Sequence, residues 1–422
     1  MKKMKTIQSA RVAEMLLQLF AEYDGVHTGS DGMSVEMKTY YEKRLLQEAE
    51  PNLVHDQFGA KYPIPKGSGK TIEFRRFLSL PKNLKTLQEG VTPPKQTMEA
   101  TNILATVDQY GGWIESTDLL ELTTIDPILD ERTKLLGSQA GRTLDTVTRE
   151  VINGGTNVVY CPDISGDTPI VKTVRADLTE GCHLAFDPIF RAAAQLKAQN
   201  ASKFGDCFVG IVHPYSSYDL MSQKEWIDVS KYAHAEQIFN GEIGKVGSVR
   251  FVESSEAKVF LPGEIAPGVR RMTVVSGSGT SVVVEGEYET ASFAANPIPV
   301  YVNGVANTVT ALTKGSGTTT LTLGTSATVT KGNMICGQGA AKDGNAVFST
   351  LVIAQNAYAV TELTGGGLQH IVHQLGSAGT ADALNQRSSS GWKATKVAKR
   401  LNEQYLVRIE SVNAYSQIIN EN

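Results

Sequence analysis

DPILDERTKLLGSQAGRTLDTVTREVINGGTN, residues Asp126 to Asn157, carries the marks of both ends of one long helix and nothing along it that looks catalytic. Asp126 is a good N-cap, and Pro127 suits the first helical position, where a missing N–H loses no hydrogen bond. Asp130 and Glu131 sit where the helix dipole favours negative charge, Arg149 sits near the far end, and Asn153-Gly154-Gly155 predicts a left-handed stop. Between these marks Leu129, Leu136, Ala140, Leu144, Val147 and Val151 recur at threes, fours and their sums, which builds one apolar stripe. At about 1.5 Å per residue the rod over 126–153 is roughly 40 Å long, against an average helix of about 11 to 12 residues. Something extended must lie along it.

Outward from the helix the pattern changes in both directions. Upstream, Ile72 and Phe74 alternate with Glu73 and Arg75, and Ile103, Ala105 and Val107 alternate with Asn102, Leu104, Thr106 and Asp108. These two runs flank a loop rich in Pro, Lys and Gly over 78–97, so they predict a long hairpin with a mobile tip. A two-stranded hairpin is marginal in water, which leads to the expectation that this one leans on something outside its own domain, a neighbouring subunit above all. Further upstream, Val12, Met15, Leu16, Leu19 and Phe20 share one helical face, interrupted by Glu14, Gln18 and Glu22, and this reads as an amphipathic arm rather than a signal peptide. A second helix is predicted over 35–50.

Downstream, Asp187-Pro188 opens a helix through Lys197, and Cys207–Val212, Val246–Val252 and Val347–Ile353 read as strands of one α/β layer. Residues 262–345 interrupt that layer with Val, Thr, Gly and Ser in short alternating runs, punctuated by Asn303-Gly304, Gly315-Ser316-Gly317 and Gly324-Thr325-Ser326. They predict a small all-β insertion domain, because a flexible linker rarely carries Val and Leu in alternation.

The bulk numbers exclude more than they assign. A chain of 422 residues exceeds the usual single core, so two or three domains are expected. A net charge of −4 with both signs interspersed announces no nucleic-acid surface. Cys161, Cys182, Cys207 and Cys336 are scattered and form no Cys-x-x-Cys, which fits a reducing compartment, and no apolar run is long enough to span a membrane.

Several residues could carry chemistry, and each reads better as structure. IPKGSGKT, Ile64 to Thr71, ends like a phosphate-binding loop but has Ile64 where glycine is required and a strand where a helix should follow. His213 closes an apolar strand and Asp219 could orient it as a base, yet no nucleophile stands at a matching spacing. His370 and His373 stand three apart, with no carboxylate or cysteine near enough in sequence to complete a metal set. Lys82, Lys85 and Lys95 at the hairpin tip could meet a neighbour's carboxylates or form a Lys-Asn crosslink, although a solvated charge cluster is the default for such a loop. Trp113, Trp226 and Trp392 are too scattered to stack bases and read as core or interface anchors. The expected catalytic, cofactor and metal residues are therefore none.

Gly90 to Tyr160, with VGIVHPYSSYDL (Val209 to Leu220) and LGSAGTADALNQRSSSGWKATKVAKRLNEQYLVRIES (Leu375 to Ser411) following in the same order, resembles the major capsid proteins of tailed bacteriophages. Within these it is most similar to the N4-like family of Hong Kong 97-type coat proteins. The resemblance implies an α+β fold with an N-terminal arm (1–60), an extended hairpin loop (61–116), and a peripheral domain (117–185) around a spine helix (126–153). It further implies an axial domain (186–261 and 346–390) and a C-terminal strand (391–422, its core Lys393 to Val412) that returns to the peripheral domain. Ala383 beside Asp382 replaces a proline of the family pattern, and the 262–345 insertion has only loose parallels there.

The function so implied is a shell protein that forms homo-hexamers and homo-pentamers of an icosahedral head around double-stranded DNA. It would be assembled in the host cytoplasm, reside in the virion, and bind DNA without sequence specificity. Portal, scaffolding and decoration proteins are the expected partners, with no membrane and no active site. A chain that starts at Met1 leads to the expectation of a separate scaffolding protein rather than a cleaved N-terminal segment. Two rivals stand beside this reading: a tail or head-decoration protein, motivated by the insertion alone, and an α/β hydrolase-like enzyme built on His213 and Asp219.

Overall fold

The computed structural model of the protein describes residues 43–46, 48–49, 53–77 and 80–417, apart from 81, 85, 88, 91, 93–94, 124–127, 167, 224–243, 365, 375–383 and 385. The amphipathic arm, much of the 35–50 helix, the caps Asp126 and Pro127, Lys85, Trp226 and the Asp382-Ala383 turn lie outside these residues. The chain divides into two compact units, one of residues 109–141 and 366–394 with the segment up to Pro51, the other of residues 52–108, 142–365 and 395–422.

The long helix runs from Ile128 to Asn153. Leu136, Ala140 and Leu144 of the stripe are buried, but so are Thr133, Asp145, Thr148 and Arg149, so the inward face is as polar as it is apolar. The left-handed stop expected at its end is absent: Asn153, Gly154 and Gly155 all keep φ outside the positive range. A guanidinium does the capping instead, with Arg408 Nη1 donating to the carbonyl oxygens of Asn153 and Gly155, the latter at 3.1 Å. Glycine at 155 serves close packing, since a Cβ there would lie 2.7 Å from Glu403 Oε1.

In the first unit, Asp108–Thr117 and Gln369–His373 both pair with the strand Arg387–Arg400. The helix packs on this sheet through Gln139, which accepts a hydrogen bond from Trp392 Nε1 at 3.1 Å. On its other side Gly137 lets Leu45 approach, because a Cβ at 137 would meet the Leu45 carbonyl oxygen at 2.8 Å.

Among the described residues the second unit is built on a seven-stranded mixed sheet in the order Val158–Tyr160, Leu406–Ser411, Val347–Ile353, Phe208–Val212, Val249–Glu253 and Gly244–Val246, with Val259–Phe260 also paired to Val347–Ile353. Val347–Ile353 is buried at every residue, as a central strand covered on both faces must be. The helix Phe186–Ala198 lays Ile189, Ala192, Ala193 and Leu196 on the sheet, where they join Phe208, Phe251 and Val407 in one core. The stretch Val246–Val252, expected as one strand, is two antiparallel strands folded at Gly247, whose φ of 59° suits a tight turn. The single terminal strand expected from Lys393 to Val412 is likewise two, Arg387–Arg400 and Leu406–Ser411, in different sheets. They break at Asn402, whose side chain accepts the Gln404 N–H at 3.2 Å and whose own N–H bonds the Ala357 carbonyl at 3.0 Å.

The hairpin pairs Thr71–Phe77 with Ala100–Thr106. Its base leans on its own unit: Phe74 and Ala105 pack with Ala359, Val397 and Leu401. Only the part beyond Phe77 lacks such support among the described residues. The next strand, Asp108–Thr117, leaves the hairpin for the sheet of the first unit.

Residues 271–337 form six strands. Five of them, Arg271–Glu285, Ile298–Val302, Val305–Lys314, Thr318–Ala327 and Met334–Gly337, each pair with two others and close into a barrel, which leaves no long edge open. Val274, Val282, Val284, Val300, Leu321 and Ile335 fill its interior. Asn303 and Gly304, with φ of 49° and 77°, make the tight turn between two of the strands. Chain entry and exit touch: Gly263 N–H donates to Gln338 O at 2.8 Å, and a Cβ on Gly337 would lie 1.9 Å from the Gly263 carbonyl oxygen. Gly337→Val is therefore expected to cost about 1–3 kcal/mol of stability through overpacking. Urea unfolding of the full chain checks this, and an unshifted midpoint would show that the neck opens freely.

Candidate functional site

Two of the places where the described residues leave large apolar side chains in solvent stand out. The loop between the hairpin strands exposes Leu80, Leu84, Leu87 and Met98, with Leu84 at 87% and Leu87 at 72%. Leucines held this far into water on one loop call for a cover. The second place is the sheet of the first unit. Gly112 faces the helix, where a Cβ would meet Gln139 Oε1 at 2.6 Å, so its neighbour Trp113 projects from the opposite face and is 68% exposed. Gly111, Gly112, Trp113, Ile371, His373, Ser389, Gly391 and Trp392 line a shallow cleft there of about 370 Å³.

Residues 61–107 hold eight Lys and Arg against three Asp and Glu, so the hairpin is basic overall. The strands of the first unit's sheet are of mixed charge, with Glu115 beside Arg387 and with Lys393.

A buried polar junction anchors the chain just before the hairpin. His55 N–H donates to Asp145 Oδ1 at 2.8 Å, and His55 Nδ1 lies 2.6 Å from Asp145 Oδ2, with both side chains fully buried. Thr148 Oγ1 donates to Asp56 at 2.5 Å, Lys396 Nζ reaches both Asp56 and the Leu144 carbonyl, and Tyr358 Oη donates to the His55 carbonyl. Burial lowers the pKa of Lys396, and the carboxylates around it, Asp56 first, oppose that shift. Sequence reading missed this junction because its partners are up to 340 residues apart.

The residues singled out from sequence are scattered. His213 caps the helix Pro214–Met221, its Nδ1 accepting the Tyr215 N–H at 3.2 Å. Asp219 lies instead against His183, 3.7 Å from its Nδ1, so the structure records no dyad between His213 and Asp219. His370 bonds Ser390 Oγ at 2.9 Å and His373 lines the cleft; both lie on the strand Gln369–His373, where a spacing of three puts them on opposite faces. Gly67 and Gly69 take φ of 88° and 82° in a turn that enters a strand at Thr71, not a helix. Lys82 and Lys95 are exposed, and Trp392 is buried while Trp113 is not. The four cysteines are free thiols. Among the described residues no His, Cys, Asp and Glu group is placed to hold a metal, and no helix is long and apolar enough to cross a membrane.

Burial lowers the His213 pKa to about 4 and raises that of Asp219 to about 6, the latter against the pull of His183. A histidine depressed on folding contributes stability that is present above its ordinary 6.5 and lost as pH falls through about 4. The raised carboxyl acts oppositely, contributing below its ordinary 3.8 and losing that contribution as pH rises through about 6. His213→Asn, which keeps a capping side chain, should therefore lessen the fall in Tm between pH 6.5 and 4. Melting curves parallel to those of the parent would place the acid sensitivity elsewhere.

Residues 130–296 match the family model described as phage capsid protein. No curated protein matches the chain. Among solved structures, the capsid of the cyanophage P-SCSP1u is similar at 13% identity over 85% of this chain and 87% of that one, with a TM-score of 0.50. The capsid of Ralstonia phage GP4 is similar at 13% identity over 84% and 86%, with a TM-score of 0.51. At such identities likeness speaks to fold, and the chain has the mixed helix-and-sheet fold of these phage capsid proteins.

Proposed function

We propose that the chain is the major capsid protein of a tailed bacteriophage, a coat protein of the Hong Kong 97 type from the N4-like family. It assembles into hexamers and pentamers of an icosahedral shell that encloses double-stranded DNA. In this reading residues 117–185 are the peripheral domain, residues 186–261 with 346–390 the axial domain, and residues 262–345 a module inserted into it. The observation that carries the reading is the exposed, basic, leucine-bearing hairpin loop on a chain with a capsid fold. The loop of one subunit lies over the uncovered sheet face of another, burying Leu84 and Leu87 near Trp113. Repeated around a closed ring, this heterologous contact joins many copies with one interface. The work is packing, and the reading requires no catalytic residue, cofactor or metal. Portal, scaffolding and decoration proteins complete the head.

Electron microscopy of the protein expressed alone and with its phage partners tests the reading. Closed shells or hexameric and pentameric capsomers are expected, and a persistent monomer under both conditions would overturn it.

A further inference from the structure

A lysine is rarely buried, and where it is it needs a partner. The side chain of Lys396 is 5% exposed and that of Asp56 18%, and Lys396 Nζ donates both to Asp56 Oδ2 and, at 2.9 Å, to the carbonyl oxygen of Leu144. Both members of the pair are held in place by their surroundings. From the long helix, Thr148 Oγ1 donates to the other carboxylate oxygen, Asp56 Oδ1, at 2.5 Å. Asp56 sits in a turn whose Val54 and Phe58 pack on the core of Ile152, Leu351 and Tyr358, and Tyr358 Oη fixes the His55 carbonyl between them. Lys396 belongs to the strand Arg387–Arg400, where the next residue, Val397, pairs with Thr361. An amine and a carboxyl group are therefore seated against each other on rigid elements.

A buried ion pair recovers little of what its two charges lose on leaving water. Transfer of one proton from Lys396 to Asp56 abolishes both charges and leaves an amine beside a carboxylic acid. Burial drives the pair that way, since it lowers the Lys396 pKa, and the carboxylates around it, Asp56 first, oppose that shift without cancelling it. The neutral amine is a nucleophile, and a carboxylic acid, unlike a carboxylate, can lose an oxygen as water. With both groups held in contact, the reaction needs no encounter between separate molecules, which removes much of its entropic barrier.

We propose that Lys396 and Asp56 join in an isopeptide bond that the folded chain forms on itself. Lys396 Nζ attacks Asp56 Cγ, and negative charge builds on Oδ1, where the Thr148 hydroxyl already donates. The bond from nitrogen to Cγ forms, the bond from Cγ to Oδ2 breaks, and Oδ2 leaves as water with the two protons that the ammonium gives up. The one N–H that remains on the amide is accepted by the Leu144 carbonyl. Ammonium and carboxylate thus become amide and water, with no change of oxidation state and no further reactant. The bond joins residues 340 positions apart and ties the segment that enters the hairpin to the strand whose Val397 supports the hairpin base. It lies within one subunit and goes beyond the shell reading without depending on it.

Mass spectrometry of the purified full chain tests this, with the denatured protein weighed against the mass of its own sequence and then digested with trypsin. The chain should be lighter by one water molecule, and the digest should hold a branched peptide in which Lys396 is uncut and carries the peptide that contains Asp56. Lys396→Arg keeps the positive charge, but a guanidinium stays protonated and does not attack, so that chain should have its full mass. Thr148→Val removes the donor at Oδ1 and should lower the closed fraction several-fold at equal times after synthesis, with circular dichroism confirming that the variant is folded. A parent of full mass would overturn the bond and leave the pair a salt bridge. A missing water without the branched peptide, or one that persists in Lys396→Arg, would place the loss elsewhere in the chain and overturn it equally. A closed fraction unmoved by Thr148→Val would overturn the part given to that hydroxyl. All of these are read on denatured chains, so the result is the same whether or not the subunit builds shells.

Discussion

Leu136→Asp combined with Leu144→Asp is expected to leave no native subunit. Leu136 is 1% exposed and Leu144 6%, and both lie on the inward face of the long helix. Removing each leucine forfeits about 2–5 kcal/mol of packing, and each new carboxylate must be buried without a partner or force the helix off its seat, at several kcal/mol more. Near Leu144 the penalty is compounded, since Asp145 and Asp56 already place two carboxylates in the same junction and Lys396 is engaged by Asp56 and the Leu144 carbonyl. The sum exceeds the whole stability of a typical domain, about 5–15 kcal/mol, or comes close to it. Expression should yield insoluble chain, or soluble chain without a cooperative melt and without particles in the microscope. Native particles from this double variant would refute the helix as the seam of the fold.

The helix was legible because local chemistry and global packing agree along it. Its period, its acidic first turn and its length follow from residues within 126–153, and the structure places a helix at Ile128–Asn153. The same holds for Phe208–Val212 and Val347–Ile353, short apolar runs between turn residues that became fully buried strands. What failed was set by distant partners. The left-handed stop at Asn153-Gly154 was a sound local inference, overridden by Arg408, which stands 255 residues away and caps the helix with its side chain. Lys393 to Val412 alternates plausibly as one strand, and only the contact of Asn402 with Ala357 shows why it breaks.

The candidate site was legible in outline and not in its anchoring. The sequence marks a hairpin with a lysine-bearing tip, but that its base rests on Ala359, Val397 and Leu401 depends on partners some 250 to 330 residues away. Asp145 and Thr148 looked like the polar side of an amphipathic helix. They are buried because His55 and Asp56 come to meet them, and a single sequence carries no signal for that pairing. Gly111, Gly112 and Gly391 each clear a strand or the helix that a Cβ would strike at 2.6–2.9 Å, a need that only the assembled sheet reveals.

Leu84→Asp combined with Leu87→Asp should have the opposite profile: an intact subunit that does not assemble. Both side chains stand in solvent in the single chain, so nothing folded depends on them, and the melting temperature should move by no more than the ±0.5 kcal/mol usual for surface changes permits. In the proposed contact each leucine leaves water and contributes about 1.5–3 kcal/mol, roughly 3–6 kcal/mol per interface for the pair. Since about 1.4 kcal/mol is tenfold in affinity, the concentration needed for assembly should rise by two orders of magnitude or more. Leu84→Ser/Leu87→Ser, which loses the burial without burying a charge, should fall between the parent and the aspartate variant. Sedimentation velocity reads assembly and circular dichroism reads folding. Shells that form at the parent's concentration from the aspartate variant would show that the loop is not where subunits hold one another. A variant that also fails to fold would mean that the loop is seated on its own subunit.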